Sequence, residues 1–238
     1  MNSNDPLKNV DSLAPAMPLG VFLFLLLATA AGAAAAILVL PAWLPALGDS
    51  LDGSAPHAFW YLSRASALVA YLLLWLSMCL GLLITNKLAR LWPGGPAAFD
   101  LHQHTSLLGL IFAIFHGLIL LGDRYLNPTF GQIVIPFGMQ AYRPFWVGLG
   151  QSGFFLMAVV ALSFYVRKQI TSRVWRLIHF ASFAAYVFAL LHGVFSGTDS
   201  ASLGVQFMYW GTGGVFLYLL VYRLLATAIK PASARQAA

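Results

Sequence analysis

An all-α integral membrane protein, built as a bundle of six transmembrane helices, is the fold class this sequence predicts. Three observations point to it. Of 238 residues, 60% are apolar and 8% charged, with a mean hydropathy of +0.80. The apolar residues gather into six long runs, each near the length of about 20 residues that a helix needs to cross a bilayer. No strand alternation is visible between them. Soluble domains are about 45–50% apolar and about 25% charged, so an ordinary water-soluble enzyme does not fit. Seven acidic residues, all Asp, and 13 Lys/Arg are too few to solvate a 25.8 kDa globule. The wealth of aromatics equally excludes a disordered chain.

The runs lie at about Pro18–Leu40, Phe59–Thr85, Thr105–Leu121, Phe145–Val166, Leu177–Ser196 and Gln206–Ala228. They divide the chain into an N-terminal segment (1–17), a six-helix domain (18–228) and a tail (229–238). The first run has an Ala-rich centre like a signal peptide's cleavage region. Its apolar stretch is too long for that, and Lys8 is set against Asp5 and Asp11, so it is read as a retained span.

Charge sets the orientation. With the N-terminus cytoplasmic, the inner segments hold ten basic residues: Lys8, Lys87, Arg90, Arg167, Lys168, Arg173, Arg176, Arg223, Lys230 and Arg235. The outer side receives only Arg64, Arg124 and Arg143, together with Asp49, Asp52, Asp123 and Asp199. The positive-inside rule then places both termini in the cytoplasm. The net charge of +6 and pI near 9.7 therefore reflect span ends rather than a nucleic-acid face. Cys79, the only cysteine, excludes an intrachain disulfide or a multi-cysteine metal site and is read as a packing residue. No Gly-rich phosphate loop and no internal repeat are apparent.

Ionisable residues at membrane depth are costly and raise a functional question. Four of the six histidines form two pairs, one on the third span and one on the fifth. His102 and His116 are 14 residues apart and His179 and His192 are 13 apart, or about 21 and about 20 Å along a helix. The two spans run in the same direction, so His102 and His179 share an inner depth and His116 and His192 an outer one. His116 and His192 each stand seven residues before an aspartate, Asp123 and Asp199, and each is followed by a glycine. A glycine lets the backbone approach a bulky group closely.

Bis-histidine haem ligation needs this pattern, one imidazole on each face of an iron porphyrin. His102 and His116 lie about 40° apart on one helix face, with Gly109 midway on the same stripe, where a side chain would fill space between two macrocycles. His179 and His192 stand about 140° apart in an ideal helix, a mismatch that tilt, distortion or rotamers must absorb. Single buried histidines are as often hydrogen-bonded packing as ligands. Two pairs at matched depths are harder to obtain that way. A four-His transition-metal site is disfavoured because only two ligands meet at each depth.

His104 is read as an interfacial or propionate-contacting residue, with replacement of His102 as inner ligand the alternative, and His57 as a solvated loop residue. Haem propionates favour cationic neighbours. Arg173 and Arg176 precede His179 on the inner side, although a topology role is the stronger reading for that cluster. Arg64 opens the second span and needs a partner, which an outer propionate would supply; for it the two readings stand level. Tyr186, Phe112 and Phe183 lie between the two depths and are read as packing.

With Leu101-His102 and His116, Trp175-Arg176 before His179 and His192, and Tyr61-Leu62-Ser63-Arg64, the sequence resembles the ferric reductase-like transmembrane domain family across about 59–226. That family includes ferric-chelate reductases, NADPH oxidases and the haem subunit of bacterial methionine sulfoxide reductases. The resemblance implies two b-type haems held between the third and fifth helices, His102 and His179 on the inner one and His116 and His192 on the outer. It also accommodates the 13-residue spacing. Ser106 departs from the glycine common four residues after the first ligand. The length leaves no room for a flavin or nicotinamide domain, so the expected form is a partner-dependent subunit of a bacterial inner membrane. It would take electrons from a flavoprotein or quinol and pass them to an outer protein or metal chelate. The alternatives are a haem-free polytopic transporter and a structural subunit of a larger membrane complex.

Overall fold

The computed structural model describes residues 14–44 and 58–229. Seven α-helices form there: α1 (Leu19–Trp43), α2 (Ala58–Thr85), α3 (Gly95–Ile119), α4 (Phe130–Val134), α5 (Pro144–Val166), α6 (Ser172–Ser196) and α7 (Leu203–Ala228). All but α4 are long and apolar enough to cross a bilayer. The chain thus has the helical inventory of an integral membrane protein. His57, Lys8, Asp49, Asp52, Lys230 and Arg235 lie outside the described residues.

Two boundaries and one short helix differ from the sequence expectation. The third helix starts at Gly95, ten residues before the apolar run, because Gly94 at φ +102° turns the chain and a proline occupies the first turn. His102 therefore sits within the helix. The fifth span begins at Ser172, where the Thr171 hydroxyl accepts from Val174 N–H. The short α4 was not anticipated. It is capped reciprocally by Thr129 and Gln132, a T-x-x-Q signature legible in the sequence.

Two tight antiparallel hairpins, α2–α3 and α5–α6, make up the centre. In the first, Gly109 faces the α2 backbone: a Cβ there would lie 3.5 Å from Leu73 Cβ and 3.6 Å from Ala70 O. Gly109 is thus the point of close helix approach, which corrects the expectation that it opens space between macrocycles. In the second, a Cβ on Gly153 would lie 3.1 Å from Phe188 Cβ and 3.2 Å from Ala185 O. Small residues at membrane helix crossings let backbones approach and gain dispersion contacts that lipid does not supply. α7 packs on α2, and α1 leans on α3 with Phe22 stacked on Tyr165 of α5 at 5.9 Å. The core between the hairpins is aromatic, centred on the fully buried Tyr186.

Candidate functional site: two histidine pairs across the bundle

The α2–α3 register repeats every seven residues. Ser63 stands opposite His116, Ala70 opposite Gly109, and Ser77 opposite His102. Nδ1 of His116 lies 2.9 Å from Ser63 O, and Nδ1 of His102 lies 2.9 Å from Ser77 O. A carbonyl oxygen only accepts, so Nδ1 is the protonated nitrogen and donates. In the neutral ring Nε2 is then an acceptor, directed away from α2.

Across the bundle, His192 is fixed in the same way from α5, its Nδ1–H donating to Trp146 O at 3.0 Å. His179 is held differently, stacked on Trp175 one turn earlier in its own helix, with ring centroids 5.0 Å apart. The hairpins bring the rings together in two equal steps. His102 and His179 have centroids 6.0 Å apart at 71°, and His116 and His192 have centroids 6.0 Å apart at 65°. α6 is continuous from Ser172 to Ser196. The 13-residue spacing is therefore met by two rings held by different neighbours, not by a break in the helix.

The outer pair borders a cavity of about 480 Å³. Its walls come from α2 and α7 on one side, including Ala67, Tyr71 and Tyr209, and from α4 and α5 on the other, including Phe130, Val147 and Gln151. Glycines shape it. A Cβ on Gly150 would fall 2.5 Å from His192 Cγ, and one on Gly193 would fall 2.5 Å from Tyr209 Oη. Gln151 ties the α4 segment down over this end, its amide donating to Gln132 O and Ile133 O at 2.7 and 2.9 Å.

The other sequence candidates are placed as follows. Arg64 lines the cavity mouth and is ion-paired with Asp199, so a carboxylate of this chain supplies its counter-charge. Arg173 and Arg176 are exposed at the opposite end. His104 is also exposed, its Nδ1–H donating to Asp100 O of its own helix at 2.8 Å, so it is His102 that meets His179. Ser106 donates to His102 O at 2.7 Å and lies 2.6 Å from Ser77 Oγ. No role was expected of Ser63, which stands in the Tyr61-Leu62-Ser63-Arg64 motif, or of Ser77; their signal is a 14-residue spacing that matches that of His102 and His116. Between the pairs, Tyr71 Oη bonds Thr212 Oγ1 at 2.7 Å and Tyr186 Oη at 3.3 Å.

Among the described residues, no group of three or more His, Cys, Asp or Glu comes together that could hold a metal ion. The arrangement instead offers, at each of two levels, two facing imidazoles. No curated protein and no solved structure matches the chain. A family model does match residues 58–199, from the start of α2 to the loop after α6, and so takes in all four paired histidines. The chain belongs to this family, described as a domain of unknown function (DUF8596).

Proposed function

We propose that the protein is a di-haem b-type membrane cytochrome that conducts electrons across the bilayer. The observation that carries the reading is the repeated ring separation of 6.0 Å. Two imidazole nitrogens about 2.0–2.1 Å from one metal ion put their ring centroids about 6.3 Å apart. The fixed Nδ1–H groups support it further, since metal-binding histidines characteristically donate their other N–H to a carbonyl. His102 and His179 would hold the inner haem, and His116 and His192 the outer one. The cavity, extending to both sides of the outer pair, suits a flat macrocycle. The resemblance to the ferric reductase-like transmembrane family agrees with this assignment.

The haems, when bound, supply reversible one-electron chemistry. The chain supplies four imidazoles, water exclusion by the apolar bundle, and the vertical spacing. Its charge distribution supports an inner and an outer end. Lys87, Arg90, Arg167, Lys168, Arg173, Arg176 and Arg223 gather at the end near His102 and His179, which the positive-inside rule makes cytoplasmic. In a bacterial inner membrane an electron moving outward gains about 2.3 kcal/mol per 100 mV of potential. A cytoplasmic flavoprotein or a quinol would be oxidised, one electron at a time, and an outer protein or metal chelate reduced.

The test is a dithionite-reduced minus oxidised spectrum of the purified protein, with haem quantified per chain. A b-type α-band and two haems are expected, and His116→Ala is expected to retain about one. A colourless protein would falsify the reading, and uptake of a solute into liposomes by that protein would favour a transporter.

A further inference from the structure

We infer that Ser63 and Ser77 of α2 are positioning residues for the imidazoles that α3 carries, and that Ser106 makes the inner position differ from the outer. This rests on the two-haem reading above and deepens it. Most hydroxyls in these helices donate back to the carbonyl four residues earlier, as Ser66, Thr85, Thr105, Ser152 and Thr212 do. Ser63 and Ser77 instead reach across to α3, at the two heptad positions that face a histidine.

The two networks close on the histidine itself. At the outer level, His116 Nδ1 lies 2.8 Å from Ser63 Oγ, and that hydroxyl donates to His116 O at 2.9 Å. A hydroxyl has one proton. Ser63 Oγ, having donated it, can only accept from the ring, so the one Nδ1–H is shared between this hydroxyl and Ser63 O, and the two acceptors together fix the ring plane. At the inner level, Ser77 Oγ lies 3.0 Å from His102 Nδ1 but 3.5 Å from His102 O. The shorter path runs through Ser106. Ser77 Oγ and Ser106 Oγ are 2.6 Å apart, and Ser106 donates to His102 O at 2.7 Å. The proton of Ser106 is therefore engaged, so Ser77 donates to Ser106 and accepts from His102 Nδ1–H. One hydroxyl closes the outer ring of bonds, and two close the inner.

A hydrogen-bonded Nδ1–H raises the basicity of the imidazole toward a metal ion. A more basic ligand favours the ferric state, so loss of the hydroxyl, which leaves the serine's backbone carbonyl as the sole acceptor at 2.9 Å, is expected to raise the reduction potential of the site it serves. Optical redox titration of the α-band tests this in Ser63→Ala, Ser77→Ala, Ser106→Ala and the hydroxyl-retaining Ser63→Thr and Ser77→Thr. The single remaining midpoint of His116→Ala identifies the inner step. Ser77→Ala is expected to raise that step and Ser106→Ala to raise it by less. Ser63→Ala is expected to raise the other step, and the threonine variants to stay near the wild-type values. Loss of one haem in an alanine variant that its threonine counterpart keeps also supports the inference. Unmoved midpoints in Ser63→Ala and Ser77→Ala with full haem overturn it, as does equal haem loss in these two and their threonine counterparts. A wild-type protein without a b-type band fails the haem reading itself, an outcome distinct from an intact band with unmoved midpoints.

Discussion

A Cβ on Gly150 would sit 2.5 Å from His192 Cγ, closer than real Cβ contacts come, and the ring cannot retreat without leaving Trp146 O. Gly150→Ala is therefore expected to displace His192 while leaving the inner pair intact, and haem per chain should fall to about half that of wild type. Arg64 and Asp199 form a second local device, bridging the start of α2 and the loop after α6 beside the cavity. Both side chains are partly exposed, at 27% and 40%, which limits what their attraction adds. A double-mutant cycle with Arg64→Gln and Asp199→Asn, read by thermal unfolding in detergent, should give a coupling of about 0.2–1 kcal/mol.

The helix hairpins explain why the histidines meet at all. α5 and α6 cross where Gly153 lies against Ala185 O and Phe188 Cβ. A leucine at 153 must push the hairpin apart, and overpacking of this kind costs about 1–3 kcal/mol. Gly153→Leu should lower thermal stability by that order and weaken both histidine pairs together, measured as unfolding temperature and total haem content. This separates it from Gly150→Ala, whose effect is confined to one level. Capping residues mark element starts at Thr129 and Thr171, but apolar length alone passes over both: it opens the fifth span at Leu177 and places no helix at Phe130–Val134. It also passes over the start of α3, whose first ten residues, with Asp100, His102, Gln103 and His104, look too polar for a span. The helix extends there because Gln103 turns inward to bond Ala16 N–H and Ala14 O, while His104 satisfies itself on Asp100 O.

Across the molecule, basic residues divide between the two ends of the bundle. Seven described Lys/Arg lie at the end with His102 and His179, and Arg64, Arg124 and Arg143 lie at the other. Cys79 is buried, so a single engineered cysteine can report orientation without much background. In a Cys79→Ala background, Arg124→Cys is expected to react with an impermeant maleimide from outside the cell, and Lys168→Cys only after the membrane is opened. The reverse pattern would invert the direction assigned to electron flow.

The membrane class, the number of spans and the choice of four histidines followed from composition and spacing. Apolar length and intramembrane polarity are one-dimensional properties, and a helix converts spacing directly into depth. Packing between helices does not follow in that way. The sequence presented the 13-residue interval of α6 as a mismatch; the fold resolves it by giving His179 a stacking partner in its own helix and His192 a carbonyl from α5. Gly109 read as a gap and is instead a contact, and Arg64 read as a cation needing a partner and has Asp199. The spacing of Ser63 and Ser77 is in the sequence, but that they face His116 and His102 is decided only where α2 and α3 lie side by side. A cross-helix hydrogen bond depends on register and rotation between segments, and these are decided by small-residue contacts such as Ala70 against Gly109, far from the polar groups that they align.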